Sequence, residues 1–310
     1  MDSGIDQIRL AFNPASLMVL NIILGVLMFG VALDIKVADF RRIIKDPRGP
    51  LVGLGAQFFL MPAVTFLLTL ILDPAPSVAL GMILVAACPG GNISNFMTYL
   101  ARGNAALSVG MTAVSSAAAI VMTPLNIAFW GGLNPKTAVV LRSIAIDPVD
   151  MFGMVLIILG VPLAAGMFIG AKYPGVTARV RKPLRIIGAT IFVAFVVIGV
   201  RNNLEHFTGS LTPVFGAIIL HNAMALSLGY GVARLMRLPA YDARAISIEV
   251  GIQNSGLGLV LIFNFFDGVG GMAVVAAGWG VWHIIAGLTI SRIWAWRPVA
   301  VPGVTLEEAS

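Results

Sequence analysis

The sequence predicts an all-α polytopic membrane protein, and three observations carry that expectation. Hydrophobic residues fill 58% of 310 positions and charged residues 11%, whereas a soluble domain carries about a quarter charged residues. Apolar runs of about 20 residues, the length at which a helix spans a bilayer, recur along the chain. The charges fall in short clusters between those runs, as they do in the loops of membrane proteins. A chain so poor in charge cannot cover its own surface in water, so lipid is its solvent. The net charge of +6 therefore reflects loop charge, and no nucleic-acid partner is expected.

Nine spans follow in order, near 15–33, 51–72, 78–99, 105–130, 149–171, 185–201, 211–233, 243–266 and 271–293. MDSGIDQIRLAF, ahead of the first, is acidic and lacks the basic region of a cleaved signal peptide. The second span carries Gln57 in AQFFLMPA, a third of the way along. The third is interrupted by VAACPGGNISNF, where Pro89, Gly90 and Gly91 oppose a continuous helix. The fourth carries Ser108 and Thr112, four residues apart and so on one helix face. A basic loop separates the fifth from the sixth. His221 and Asn222 lie in the seventh span, Glu249 and GIQNSG in the eighth, and His283 in the ninth. Trp279, Trp282, Trp294 and Trp296 cluster in or just after the ninth, as interfacial or packing aromatics. Short connections make this one membrane domain ending in the polar tail VPGVTLEEAS. The single cysteine, Cys88, rules out an intramolecular disulfide framework and is read as a small buried hydrophobe.

Lysine and arginine placement orients the spans. Sixteen of the 20 basic residues fall on one set of loops and the C-terminus, leaving Arg9, Lys136, Arg142 and Arg201 on the other side. The basic side is expected to be cytoplasmic, with the N-terminus outside and the C-terminus inside. The expected location is the plasma (inner) membrane.

Of the 14 acidic residues, Glu249 alone lies inside a span. A carboxylate at mid-membrane costs roughly 2.5–3.5 kcal/mol on insertion scales, so it normally faces a cavity or a partner. No lysine or arginine in the flanking apolar sequence can pair with it, which leaves a proton, a metal cation or a ring of amides. The segment that follows, GIQNSG, frees backbone groups that only protein or water can satisfy. Gly90-x-Asn92-x-Ser94 and Gly251-x-Gln253-x-Ser255 share a pattern of glycine, amide and hydroxyl. They lie in spans of opposite direction. Matched, interrupted helices of this kind point to an inverted-repeat secondary transporter with its sites at the crossing. Carbonyl ends and hydroxyl oxygens suit a desolvated cation, and amide ends suit an anion. A carboxylate among neutral oxygens suits sodium better than a chain of proton carriers.

The blocks CPGGNISN with YLARGNAALSVGMT after it, AQFFLMPA, and YDARAISIEVGIQNSGL resemble the bile acid:sodium symporter family, over essentially the whole chain. That resemblance implies a core domain of two crossed broken helices, about 51–130 and 211–293, and a panel domain, about 15–33 and 149–201. It also implies an inverted repeat that lacks the first helix of its first half, while the charge asymmetry makes 298–310 an expected cytoplasmic tail. Carried over by position, one sodium site uses Ser94, Asn95, Ser108, Thr112 and Glu249. The second uses Gln57, Glu249, Gln253 and the backbone carbonyls of Val250 and Ile252. The substrate is placed near Asn92, Asn254 and His283, although His283 could instead bridge helices. Bacterial relatives often carry Thr in place of Asn92 and Asn in place of Ile284, which leaves the substrate open. The implied function is sodium-coupled import of an organic anion, bile acid-like or a small carboxylate such as pantoate, by alternating access. It is not an enzyme, needs no cofactor beyond co-transported sodium, and is expected to act as a monomer. Two alternatives are a proton-coupled or efflux carrier of the arsenite or auxin type, for which Cys88 is thin support, and an intramembrane enzyme built on His221, His283 and Glu249.

Overall fold

In a bilayer the backbone has no water to bond, so each apolar segment satisfies its own polar groups as a helix. In the computed structural model, which describes residues 4–6, 14–144, 148–201, 211–297 and 299, every regular element is helical. In chain order these are α1 (Pro14–Ala32), α2 (Val37–Lys45), α3 (Arg48–Leu72), α4 (Pro76–Ala87), α5 (Ile93–Leu100), α6 (Ala105–Leu133) and α7 (Pro135–Ile144). They continue as α8 (Val149–Lys172), α9 (Pro174–Arg201), α10 (Leu211–Leu235), α11 (Ala240–Gly251), α12 (Ser255–Phe265) and α13 (Gly270–Ala295). Arg9, the connection 202–210 and the C-terminal tail, apart from residue 299, lie outside the described residues.

Each expected span falls on one of these helices or on a tandem pair. Among the described residues, five helices are long and apolar enough to cross a membrane alone: α3, α6, α8, α10 and α13. The pair α1 and α2, bent by 68°, makes a sixth if it is one span. The expected spans 78–99 and 243–266 are each two short helices, α4–α5 and α11–α12. The expected span 185–201 is the later part of α9, which begins in the basic stretch with Arg179 and Arg181. Two short helices were not legible as spans. α2 (VADFRRIIK) and α7 (PKTAVVLRSI) are too short and too charged to read as apolar runs.

One helix of each broken pair, α4 and α12, is central because it is apolar all round, which buries a helix on every side. Every residue from Ser77 to Ala87 in α4 is buried, and so is every residue from Ser255 to Phe263 in α12. α4 packs against α13, α6 and α3. At Gly81 the backbones of α4 and α13 touch, and an added Cβ there would lie 2.8 Å from the Met272 Cα. Helix association in lipid relies on such close approach of small residues. α1 packs against α8 and α9, and reaches the centre through contacts with α12.

α3 and α8 each contain one widened π turn, at Ala56–Leu60 and Leu156–Gly160. Each precedes a proline, Pro62 or Pro162. Proline has no N–H to offer the carbonyl one turn back, so the ladder is interrupted there. The wide turn restores a donor one residue out of step, with the Met61 N–H on the Ala56 carbonyl and the Val161 N–H on the Leu156 carbonyl. Gln57 sits in the first of these turns. Such bulges recur at functional sites.

Candidate functional site

The two breaks meet. Gly90 and Gln253 form an isolated antiparallel bridge, the Gly91 N–H donates to the Ile252 carbonyl at 2.5 Å, and the Asn254 N–H donates to the Pro89 carbonyl at 2.8 Å. Extended backbone from each broken helix thus satisfies the other in the absence of water. The bridge relates residue 90 to residue 253, a separation of 163 (253 − 90). The letter pattern of glycine, amide and hydroxyl has a separation of 161 (251 − 90), so the structural register is two residues away from it. Glycine is required on one side. A Cβ on Gly90 would overlap the Glu249 carboxylate, and one on Gly91 would lie 3.0 Å from the Gln253 carbonyl.

Glu249, in the last turn of α11, has no solvent exposure. Its Oε2 accepts from the Ser94 hydroxyl of α5 at 2.5 Å and from the Ser108 hydroxyl of α6 at 3.3 Å. Its Oε1 accepts from the Thr112 hydroxyl of α6 at 2.8 Å. Asn95 Oδ1 lies 2.8 Å from Ser108 Oγ and 3.1 Å from Thr112 Oγ1. The one-face spacing of Ser108 and Thr112 is therefore realised, and all five residues assigned to the first cation site converge. Oxygen lone pairs outnumber protons in this cluster. Three hydroxyls supply one hydrogen each, against two carboxylate oxygens, an amide oxygen and the Ser108 carbonyl that Thr112 also reaches at 3.0 Å. No cationic side chain compensates, since the ion pairs among the described residues are Lys136–Asp73 and Arg181–Asp34. A hard monovalent cation suits such a set of oxygens.

The second group adjoins the crossing. Gln57 Nε2 donates to the Cys88 carbonyl at 2.9 Å and to Gln253 Oε1 at 2.8 Å, and Gln253 Nε2 donates to the Val250 carbonyl at 2.8 Å. Gln57 Oε1 is buried with no donor, the condition in which a polar atom calls for a ligand. The Ile252 carbonyl carries the bond from Gly91. Gln57, Gln253, Val250 and Ile252 are thus brought together, and Glu249 joins them through the backbone at Val250.

The residues expected at the substrate surround the crossing without bonding one another. Asn92 and Asn254 stand at the first turns of α5 and α12, two helix N-termini that favour an anion. Asn92 Oδ1 has no partner, while Asn254 Oδ1 accepts from the Leu257 N–H at 3.1 Å. His283 is buried, with Nδ1 unpartnered. It lies on the α13 face that meets the crossing, because a Cβ on Gly280 would lie 2.7 Å from Ser255 Oγ and one on Gly287 2.8 Å from Ile252 Cδ1. Cys88 is fully buried, as expected of a small hydrophobe.

Sequence reasoning missed two polar residues here. The Thr98 hydroxyl lies 3.4 Å from Ser108 Oγ, and its spacing of four from Ser94 was the available signal. The Thr123 hydroxyl of α6 donates to the Ala87 carbonyl at 2.8 Å, closing the end of α4. Nothing in the sequence distinguished it from the other hydroxyls of that helix.

The chain is similar to known proteins over most of its length. The model of the sodium bile acid symporter family matches residues 21–210. The chain is 34% identical over 276 residues to the uncharacterized sodium-dependent transporter YocS of Bacillus subtilis (strain 168), covering 89% of this chain and 83% of that protein. It is 33% identical over 273 residues to the probable sodium/metabolite cotransporter BASS1, chloroplastic, of Arabidopsis thaliana, covering 87% and 65%. It is 34% identical over 240 residues to the ileal sodium/bile acid cotransporter of Homo sapiens, covering 77% and 67%.

Proposed function

The chain belongs to the sodium bile acid symporter family, and from that premise we propose that it imports an organic anion coupled to sodium by alternating access. It is a multi-pass membrane transporter and not an enzyme. The observation that carries the sodium reading is the Glu249 cluster, a buried carboxylate among hydroxyl and amide oxygens with no cationic side chain beside it. Sodium at Ser94, Asn95, Ser108, Thr112 and Glu249 neutralises the carboxylate and pins α5 to α6 and α11. A second sodium at Gln57, Glu249, Gln253 and the carbonyls of Val250 and Ile252 ties α3 to the second break, and the donorless Gln57 oxygen supports that placement. Two cations against one carboxylate leave a net positive locus beside the N-termini of α5 and α12. An anion near Asn92, Asn254 and His283 is favoured there.

The nine spans run from an outside N-terminus to a cytoplasmic C-terminus, on the strength of the lysine and arginine distribution. Core helices about 51–130 and 211–293 move against a panel of about 15–33 and 149–201. Sodium drives this cycle by binding one state more tightly than the other, since equal affinity would shift nothing. The anion is bile acid-like or a small carboxylate such as pantoate, and the protein works as a monomer in the plasma membrane.

The test is Glu249→Gln, assayed for sodium-dependent anion uptake in proteoliposomes. Loss of sodium dependence with the protein still inserted is expected, and unchanged sodium dependence would sink the cation site. A thermal-shift screen of organic anions with and without sodium identifies the substrate, because a true ligand stabilises more when sodium is present.

A further inference from the structure

The crossing has a local two-fold relation that assigns a role to Asn222. The bond from the Gly91 N–H to the Ile252 carbonyl maps onto the bond from the Asn254 N–H to the Pro89 carbonyl by the same shift of 163 that relates Gly90 to Gln253. That shift also maps Cys88 onto Gly251 (88 + 163 = 251). The Cys88 carbonyl accepts from Gln57 Nε2 of α3 at 2.9 Å, and the Gly251 carbonyl accepts from Asn222 Nδ2 of α10 at 2.8 Å. Each break therefore has one carbonyl held by a side-chain amide from a neighbouring long helix. Both amides are fully buried, and each keeps an oxygen without a donor, Gln57 Oε1 and Asn222 Oδ1. The amide orientation at Asn222 is dictated by chemistry, since a carbonyl can only accept.

The likeness ends at charge. Shifting Glu249 back by 163 gives Ala86, so only the second break brings a carboxylate to the crossing. Its three freed carbonyls are held by three different donors: Val250 by Gln253, Gly251 by Asn222 and Ile252 by Gly91. Gly251 lies between the two carbonyls assigned to the second sodium. We infer that Asn222 is the counterpart of Gln57 and a positioning residue for that sodium. It draws the Gly251 carbonyl toward α10 and so fixes the peptide planes that set the direction of the Val250 and Ile252 carbonyls. This inference rests on the sodium reading above.

Second-sphere partners of metal ligands typically change affinity by 10–100-fold. In Asn222→Ala, the sodium concentration giving half-maximal uptake rises about tenfold, while the substrate KM at saturating sodium stays at the parent value. Sodium titration of thermal stability gives the same shift in purified protein. Asn222→Ser, small and polar, takes the place of the alanine variant if that variant fails to insert. A fall in melting temperature without sodium, with an unchanged half-saturating sodium concentration, marks a merely structural residue and overturns the inference. Glu249→Gln run in parallel separates the two levels. Loss of the sodium response in Glu249→Gln with a parental response in Asn222→Ala overturns the role of Asn222 alone. A retained response in Glu249→Gln overturns the sodium site and this inference with it.

Discussion

Gly90 shows how tightly the centre of this molecule is drawn at the scale of single residues. Its hydrogen occupies the space that any side chain would take from the Glu249 carboxylate. Gly90→Ala is expected to cost about 1–3 kcal/mol of stability, the range for overpacking a well-packed site. It should also displace Glu249 from Ser94 and Thr112, so sodium should no longer raise the melting temperature. Asn95 poses a milder case. Its amide oxygen collects Ser108 and Thr112 but sits at the edge of the cluster, half-buried. Asn95→Ala should lose sodium coupling in uptake while its melting temperature without sodium stays near the parent's. A collapse of stability in that variant would show that Asn95 holds the fold instead.

At the scale of elements, the breaks survive because other helices supply what the helical ladder gives up. Thr123 of α6 closes the end of α4, Gln57 and Asn222 each hold one carbonyl, and each break donates one backbone N–H to the other. Arg244 does comparable work at the end of the eighth span. It counted as one of the basic residues orienting the chain, yet it is only 3% exposed. One guanidinium nitrogen donates to the Ala101 carbonyl at 2.8 Å and another to the Arg297 carbonyl, with the Trp294 ring 5.7 Å away. A cation at helix C-termini is favoured by the helix dipole, and here it ties the ends of α5 and α13 to α11. Arg244→Met should cost about 1–3 kcal/mol, the penalty for leaving a buried polar group unpaired. Thermal unfolding with and without sodium checks this, with an unchanged half-saturating sodium concentration expected.

For the whole molecule, alternating access requires α1 to move against α12 if panel and core are the moving parts. Those helices are joined by a reciprocal amide pair. Asn21 Nδ2 donates to Asn264 Oδ1 at 3.2 Å, and Asn264 Nδ2 donates to Asn21 Oδ1 at 2.9 Å. Interhelical bonds of this kind contribute about 0.6 kcal/mol on average in membrane proteins, weak enough to break in each cycle. A covalent link is not. Cysteines at positions 21 and 264, joined by a short bis-methanethiosulfonate reagent that forms a disulfide at each by displacing methanesulfinate, should abolish uptake until a reductant cleaves the link. Undiminished uptake in the linked protein would mean that α1 and α12 travel together. Cys88 is fully buried and should leave the background low.

The lipid environment, the positions of the apolar runs, the charge asymmetry and the isolated carboxylate were all legible in the sequence, because each depends on composition along one stretch of chain. The convergence of Ser94, Asn95, Ser108, Thr112 and Glu249 was reached through resemblance, and the structure supplies its geometry. Helical periodicity placed Ser108 and Thr112 on one face but left open which neighbour they meet. The register of the crossing, the burial of Arg244 and the match between Gln57 and Asn222 were decided only in the tertiary structure. Each depends on which backbone atoms, far apart in the chain, come close enough to exchange a hydrogen bond. A sequence lists donors and acceptors, but in lipid, where water satisfies none of them, packing decides which ones pair.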